Sequence, residues 1–109
     1  MSDGCFSVRL LEPAQAELEE ITRLYLELAG PDSARRITER ILGAIERLSL
    51  FPLSGPAVRD PELRELGYRF TVAEKYVAIY RLIDDTVFIY HVFDGRADYP
   101  RLFKDELNE

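Results

Sequence analysis

The chain has 109 residues, of which 47% are hydrophobic and 31% charged, and its formal net charge is −6. That length supports one modest core and not two, and that composition excludes wholesale disorder. The acidic balance argues against a general grip on nucleic-acid backbones, and no apolar run approaches the ~18 residues that a membrane span needs.

Phe6-Ser-Val-Arg-Leu10 alternates apolar with polar residues and reads as a short half-buried strand. Pro13 suits the first turn of a helix, where its missing N–H costs nothing. Ala14, Leu18, Ile21, Tyr25 and Leu28 then recur at spacings of four and three, placing them on one helix face with Glu17, Glu20, Arg23 and Glu27 largely elsewhere. Gly30-Pro31 ends that helix, and Asp32 or Ser33 is placed to cap a second one. Its buried face is predicted to be Ala34, Ile37, Ile41, Ala44/Ile45 and Leu48, with charged residues on the solvated side. So short a link makes the two helices an antiparallel hairpin.

Phe51 to Pro61 holds three prolines and a glycine and reads as a connecting loop. Three strand-like runs follow, 65–72, 76–83 and 87–93, with turns centred on Ala73-Glu74-Lys75 and Asp84-Asp85. Turns this short force an antiparallel meander. The predicted order is βααβββ, an α+β fold in which an antiparallel sheet carries an N-terminal helical hairpin on one face. Residues 1–109 are expected to form a single domain, with 1–5 and 105–109 flexible.

Parity divides each strand between two faces. In the second strand Leu66, Tyr68, Phe70 and Val72 are assigned to the helices, leaving Gly67, Arg69 and Thr71 on the open face. In the third, Tyr76, Ala78, Tyr80 and Leu82 are assigned to the core, with Val77, Ile79 and Arg81 on the open face beside Arg69. In the fourth, Val87/Ile89/His91/Phe93 and Phe88/Tyr90/Val92 are equally acceptable core sets. Val77 and Ile79 are thus expected to be exposed apolar groups, which suggests a partner surface. Arg69, Arg81 and Arg96, the last near one end of the sheet, have two readings. They are solvated or paired with nearby carboxylates, or they form a site for a phosphate or acidic partner.

His91 is the single histidine and a candidate general acid–base residue, although a lone strand histidine is more often simply packed. Tyr99 is the tyrosine best placed for a functional role. One His and one remote Cys cannot build a zinc site, and no nucleotide or dinucleotide fingerprint is present, so neither metal nor cofactor is expected. Cys5 is the one cysteine, so no internal disulfide can form. Residues 1–4 lack the basic region and apolar core of a signal peptide, and together these features point to the cytoplasm. Residues 64–104 carry 7 basic and 6 acidic side chains, against 7 and 11 in residues 1–63. This least acidic region is still no basic patch, and direct sequence-specific DNA binding by the chain alone is not expected.

The βααβββ order, together with Tyr68-Arg69-Phe70, Tyr76-Val-Ala-Ile-Tyr80-Arg81, Asp84-Asp85 and Gly95-Arg96-Ala97-Asp98, resembles the RelE/ParE toxin family of bacterial type II toxin–antitoxin systems. The Phe51-Pro52…Gly55 segment is similar as well, and the resemblance runs from Phe6 to about Phe103. It implies a toxin with a small cognate antitoxin as partner and the plasmid-stabilising role such pairs have. The implied target is either DNA gyrase, in the ParE-like branch, or messenger RNA on the ribosome, in the RelE-like branch.

The cleaving branch relies on basic residues that stabilise charge at the scissile phosphate. By position, Arg69 and Arg96 match two of them. Thr71 and Val77 stand where the others belong, and Asp94 stands where the family often has His. Arg81 could substitute, with Tyr99 near the position of a C-terminal tyrosine. These departures favour the ParE-like branch, with ribosome-dependent ribonuclease as the alternative and a weakened toxin acting as a binding module as a third outcome. The resemblance implies that the antitoxin covers Val77 and Ile79 and neutralises Arg69, Arg81 and Arg96.

Overall fold

A computed structural model describes residues 5–101 and 103. Strand β1 (Ser7–Leu10) leads into helices α1 (Glu12–Ala29) and α2 (Pro31–Glu46), the latter tightening into a 3-10 turn at Arg47–Ser49. A short helix α3 (Pro61–Glu65) precedes strands β2 (Arg69–Ala73), β3 (Tyr76–Ile83) and β4 (Thr86–Asp94). The four strands form one sheet in the order β1-β4-β3-β2. The meander β2-β3-β4 is antiparallel as expected, and β1 joins its edge parallel to β4, so the sheet is mixed.

The helical hairpin is joined by a single residue. Gly30 lies at φ 93° and ψ 175°, a region open essentially to glycine alone. Its N–H donates to the carbonyls of Tyr25 and Leu26, and its own carbonyl accepts from Ala34. Helix α2 therefore starts at Pro31 with Gly30 as its cap and no side-chain cap bond, in place of the expected Asp32 or Ser33. Asp32 instead pairs with Arg35. The predicted apolar face of α2 is buried throughout. In α1 that face holds at Ala14, Leu18 and Ile21 and thins at Tyr25, while Leu28 is 77% exposed.

The principal core lies between this hairpin and the sheet. It takes Tyr76, Ala78 and Tyr80 from β3, and Val87, Ile89 and Val92 from β4. Both hairpin turns are two residues long, with Glu74 and Asp84 each in the left-handed region at φ 57°. A register shift at Ile79/Tyr80 sets Ile79 opposite His91 but Tyr80 opposite Ile89. Tyr90 is the extra residue of this bulge, and it breaks the alternation along β4. The core thus draws Val87 and Ile89 from one of the two predicted sets and Val92 from the other.

The far face of the sheet is not open. A second core of Val58, Leu63, Tyr68, Ile79 and Phe103 covers part of it, with Phe70, Tyr90, Phe93 and Tyr99 packed alongside. Two elements absent from the sequence reading build it, α3 and a helical turn at residues 99–101 and 103. Asp60 caps α3 by accepting from the Leu63 N–H at 3.1 Å, and Pro61 occupies its first turn. The aromatic residues drawn to this second core reverse the facing expected for the second strand. Tyr68 and Phe70 point away from the helices, and Val72 is exposed on that same side. Thr71 and Ala73 instead oppose Ala78 and Tyr76 and share their helix-side face. Leu66 is exposed after α3 and lies outside any strand.

No helix among the described residues is long and apolar enough to cross a membrane. The expectation of flexible ends at 1–4 and 105–109 falls outside the described residues, and Cys5 is exposed.

Candidate functional site

The arginines singled out in the sequence do not share a face. Arg69 lies opposite Tyr80 in the register, so both side chains project to the helix side, toward the segment after the 3-10 turn. The guanidinium of Arg69 donates through one nitrogen to the carbonyls of Leu53 (3.2 Å) and Gly55 (2.7 Å). The hydroxyl of Tyr80 donates to the Pro52 carbonyl at 2.8 Å and accepts from the Gly55 N–H at 3.1 Å. A Cβ on Gly55 would sit 2.2 Å from the Phe70 carbonyl oxygen, so only glycine fits under this clamp. Burial raises the Tyr80 phenol above its ordinary pKa, partly countered by the Gly55 amide and Arg69. Arg69 and Tyr80 therefore hold a loop, and Arg69 is not beside Arg81 as expected.

Arg81 projects from β3 to the far face. Its guanidinium lies 4.8 Å from the Tyr68 ring centroid and 5.6 Å from that of Tyr90. It donates to the Tyr90 hydroxyl at 3.1 and 3.2 Å and to the Leu66 carbonyl at 3.2 Å. Tyr68 is pushed up by burial, with Arg81 pulling the other way.

Arg96 sits in the turn after β4, its side chain 85% exposed, and forks onto Asp94 at 3.0 and 3.1 Å. Those bonds, the Arg96 backbone N–H at 2.9 Å, and Lys75 hold the Asp94 carboxyl well below the usual carboxylate range. The same pairing raises Arg96. Asp94 lies opposite Tyr76, so about 17 Å of strand separates this end of the sheet from Arg81, at ~3.4 Å per residue.

Ile79 is 1% exposed, buried in the second core and not presented to solvent as expected. Val77 is half-buried, opposite exposed Val72 on the same face. Tyr99 stacks on Phe93 with centroids 5.1 Å apart, and burial, with Asp60 adding to it, raises its phenol.

His91 has a partner that local sequence could not reveal. Its Nδ1 lies 3.0 Å from Oε2 of Glu17, on α1. The other carboxylate oxygen accepts the Val92 N–H at 2.8 Å. Strand β1 stops opposite Ile89, so the edge of β4 beyond that point lacks a strand neighbour, and Glu17 supplies an acceptor there. Next to this pair lies a cavity of about 300 Å³ that reaches Ile79, Phe93, Tyr99 and Phe103. The described residues contain no cluster of potential metal ligands.

The sequence profile of the family described as the ParE toxin of the type II toxin-antitoxin system, parDE, matches residues 8–99. The chain belongs to the RelE/ParE toxin family. The chromosomal ParDE TA system from P. aeruginosa contains a similar chain, with a TM-score of 0.70 at 21% identity over 84% of this chain and 97% of that one. The RelBE2 toxin–antitoxin complex from Mycobacterium tuberculosis contains another, with a TM-score of 0.62 at 26% identity over 83% of this chain and 98% of the other. No curated protein sequence matches. The shared fold is the helical hairpin on a four-stranded sheet described above.

In this RelE/ParE chain Arg69 and Arg96 are directed to different places. Thr71, opposite Ala78, faces the helices, whereas Val77, opposite Val72, belongs to the other parity set of the sheet. The tyrosines with shifted values, Tyr68, Tyr76, Tyr80 and Tyr99, are all raised, so none of these supplies a phenolate at neutral pH.

Proposed function

We propose that the chain is the toxin of a type II pair of the ParE-like kind, acting in the cytoplasm, inhibiting growth by poisoning DNA gyrase and neutralised by a co-encoded antitoxin. The observation that carries this reading is the dispersal of Arg69, Arg81 and Arg96. Phosphodiester cleavage needs cations converging where charge develops on one phosphate. Here one arginine clamps a loop on the helix side, one lies between tyrosines on the far side, and one is forked onto Asp94.

The antitoxin segment is proposed to lie across Val72 and Val77, reaching Arg81 at one end and Arg96 at the other. Ile79 and Arg69 support that surface from beneath and behind. Family membership and the likeness to chains from toxin–antitoxin complexes support an antitoxin partner.

Induction of the chain in cells, with and without its neighbouring reading frame, tests the proposal. Supercoiling defects and a DNA-damage response, relieved by the neighbour, are expected. Codon-linked cuts in translated messages by primer extension would instead identify a ribosome-dependent endoribonuclease. Unchanged growth would leave only a binding module.

A further inference from the structure

The cavity beside β4 has a composition that the proposed function does not use. Ile79 lies at its floor, and Phe93, Tyr99 and Phe103 line it with aromatic rings. Exposed Ala97 stands at its rim. Phe93 and Tyr99 stack on one another, and Phe103 meets the His91 imidazole edge-on at 5.1 Å. The polar corner is the Glu17–His91 pair, and neither lysine nor arginine is among the described lining residues.

Glu17 is the carboxylate residue among the described residues of this lining, and its side chain is 37% exposed. It is held in place by the Val92 N–H and the His91 imidazole. The two carboxylate oxygens have acceptor positions beyond those two contacts. Apolar walls weaken solvent screening and so strengthen the carboxylate's attraction for a cation. An anionic guest would be repelled, and a purely apolar one would desolvate the carboxylate without repayment. Aromatic walls leading to the Glu17 carboxylate match a long apolar stem with a cationic head.

We propose that this cavity is a binding pocket for an arginine or lysine side chain of the partner polypeptide. The stem runs along Phe93 and Tyr99, and the head rests on Glu17. The net charge of −6 favours approach by a basic segment. The assignment rests on the reading that the chain binds a protein antitoxin, and it specifies which side chain that antitoxin inserts.

The test uses the isolated full chain in NMR titrations at about pH 8, where an ordinary imidazole is neutral. The probes are Nα-acetyl-arginine amide and the uncharged Nα-acetyl-norleucine amide. The arginine probe is expected to shift His91 and Ala97 resonances saturably and to bind about tenfold more tightly than norleucine. Glu17→Gln, which keeps an acceptor for Val92, should abolish that preference, and Ala97→Trp, which fills the rim, should block both probes. Dispersed amide spectra establish that each variant is folded. Equal binding of the two probes, an undiminished preference in Glu17→Gln, or no binding of either would overturn the pocket. Ala97→Trp should also weaken the complex with the co-encoded antitoxin, and an unchanged affinity would overturn its use by that partner. If wild type fails to bind the neighbour at all, the antitoxin reading fails, while the probe titrations still decide the pocket.

Discussion

Replacing Tyr80 with Phe removes one oxygen atom and isolates the clamp on the loop that follows the 3-10 turn. The ring is fully buried in the principal core, and Phe preserves its shape and packing. Two hydrogen bonds disappear, one to the Pro52 carbonyl and one from the Gly55 N–H. Each is worth about 0.5–1.5 kcal/mol net, and a buried group left without a partner costs about 1–3 kcal/mol. Pro52 and Gly55 are both buried, and Arg69 still holds the Leu53 and Gly55 carbonyls, which limits how far the loop can move toward water. The expected loss is about 2–3 kcal/mol. Equilibrium urea unfolding measures it. With a slope of about 1–3 kcal/mol per molar, the midpoint should fall by roughly 0.7–3 M at unchanged slope. A loss below about 0.5 kcal/mol would refute the reasoning, because it would mean that the stranded groups rehydrate freely.

Gly30→Ala should cost about 1–3 kcal/mol, since alanine is strained at φ 93° although nothing crowds its Cβ. Gly43→Ala, in the interior of α2 with equally open space, should instead gain about 0.5–1 kcal/mol, and thermal melts of the two variants should therefore move in opposite directions. Arg96→Gln should return the Asp94 carboxyl to the ordinary aspartate range in a carbon-detected NMR titration; a carboxyl that stays depressed would show that Lys75 and not Arg96 sets it.

At alkaline pH, Tyr68, Tyr76, Tyr80 and Tyr99 all hold their protons more tightly folded than unfolded, chiefly through burial, with Tyr76 pushed up to about 12. Stability from these groups is complete below the unfolded value of 10.0 and is lost as pH rises through the folded values. Ultraviolet tyrosine titration should show ionisation arriving together with unfolding, and normal titration of all six tyrosines in a folded chain would contradict it.

Wherever structure follows from neighbours along the chain, the sequence was legible. The period-3.6 face of α2 emerged residue for residue, Gly30-Pro31 marked the break between helices, and the acidic pair Asp84-Asp85 marked a tight turn. Facing was less secure, because it depends on what lies across the sheet. An arginine beside apolar residues looks solvent-bound by parity, yet Arg69 shares its face with buried Tyr80. Phe103 and α3 claimed the aromatic residues that parity had assigned to the helices. Helix α3 did leave a local signal in Asp60-Pro61, a cap followed by a first-turn proline, masked by the prolines around it.

Local order and the family likeness were therefore legible in the sequence by itself, because periodicity, turn chemistry and short motifs act over a few residues, whereas the one core expected from chain length became two, on opposite faces of the sheet. Tertiary structure alone decided which residues meet. The bulge at Tyr90 set the facing of β4, and the early end of β1 brought Glu17 to His91 across 74 residues of chain. Contacts of that range arise from packing and unpaired backbone groups, which no local pattern encodes.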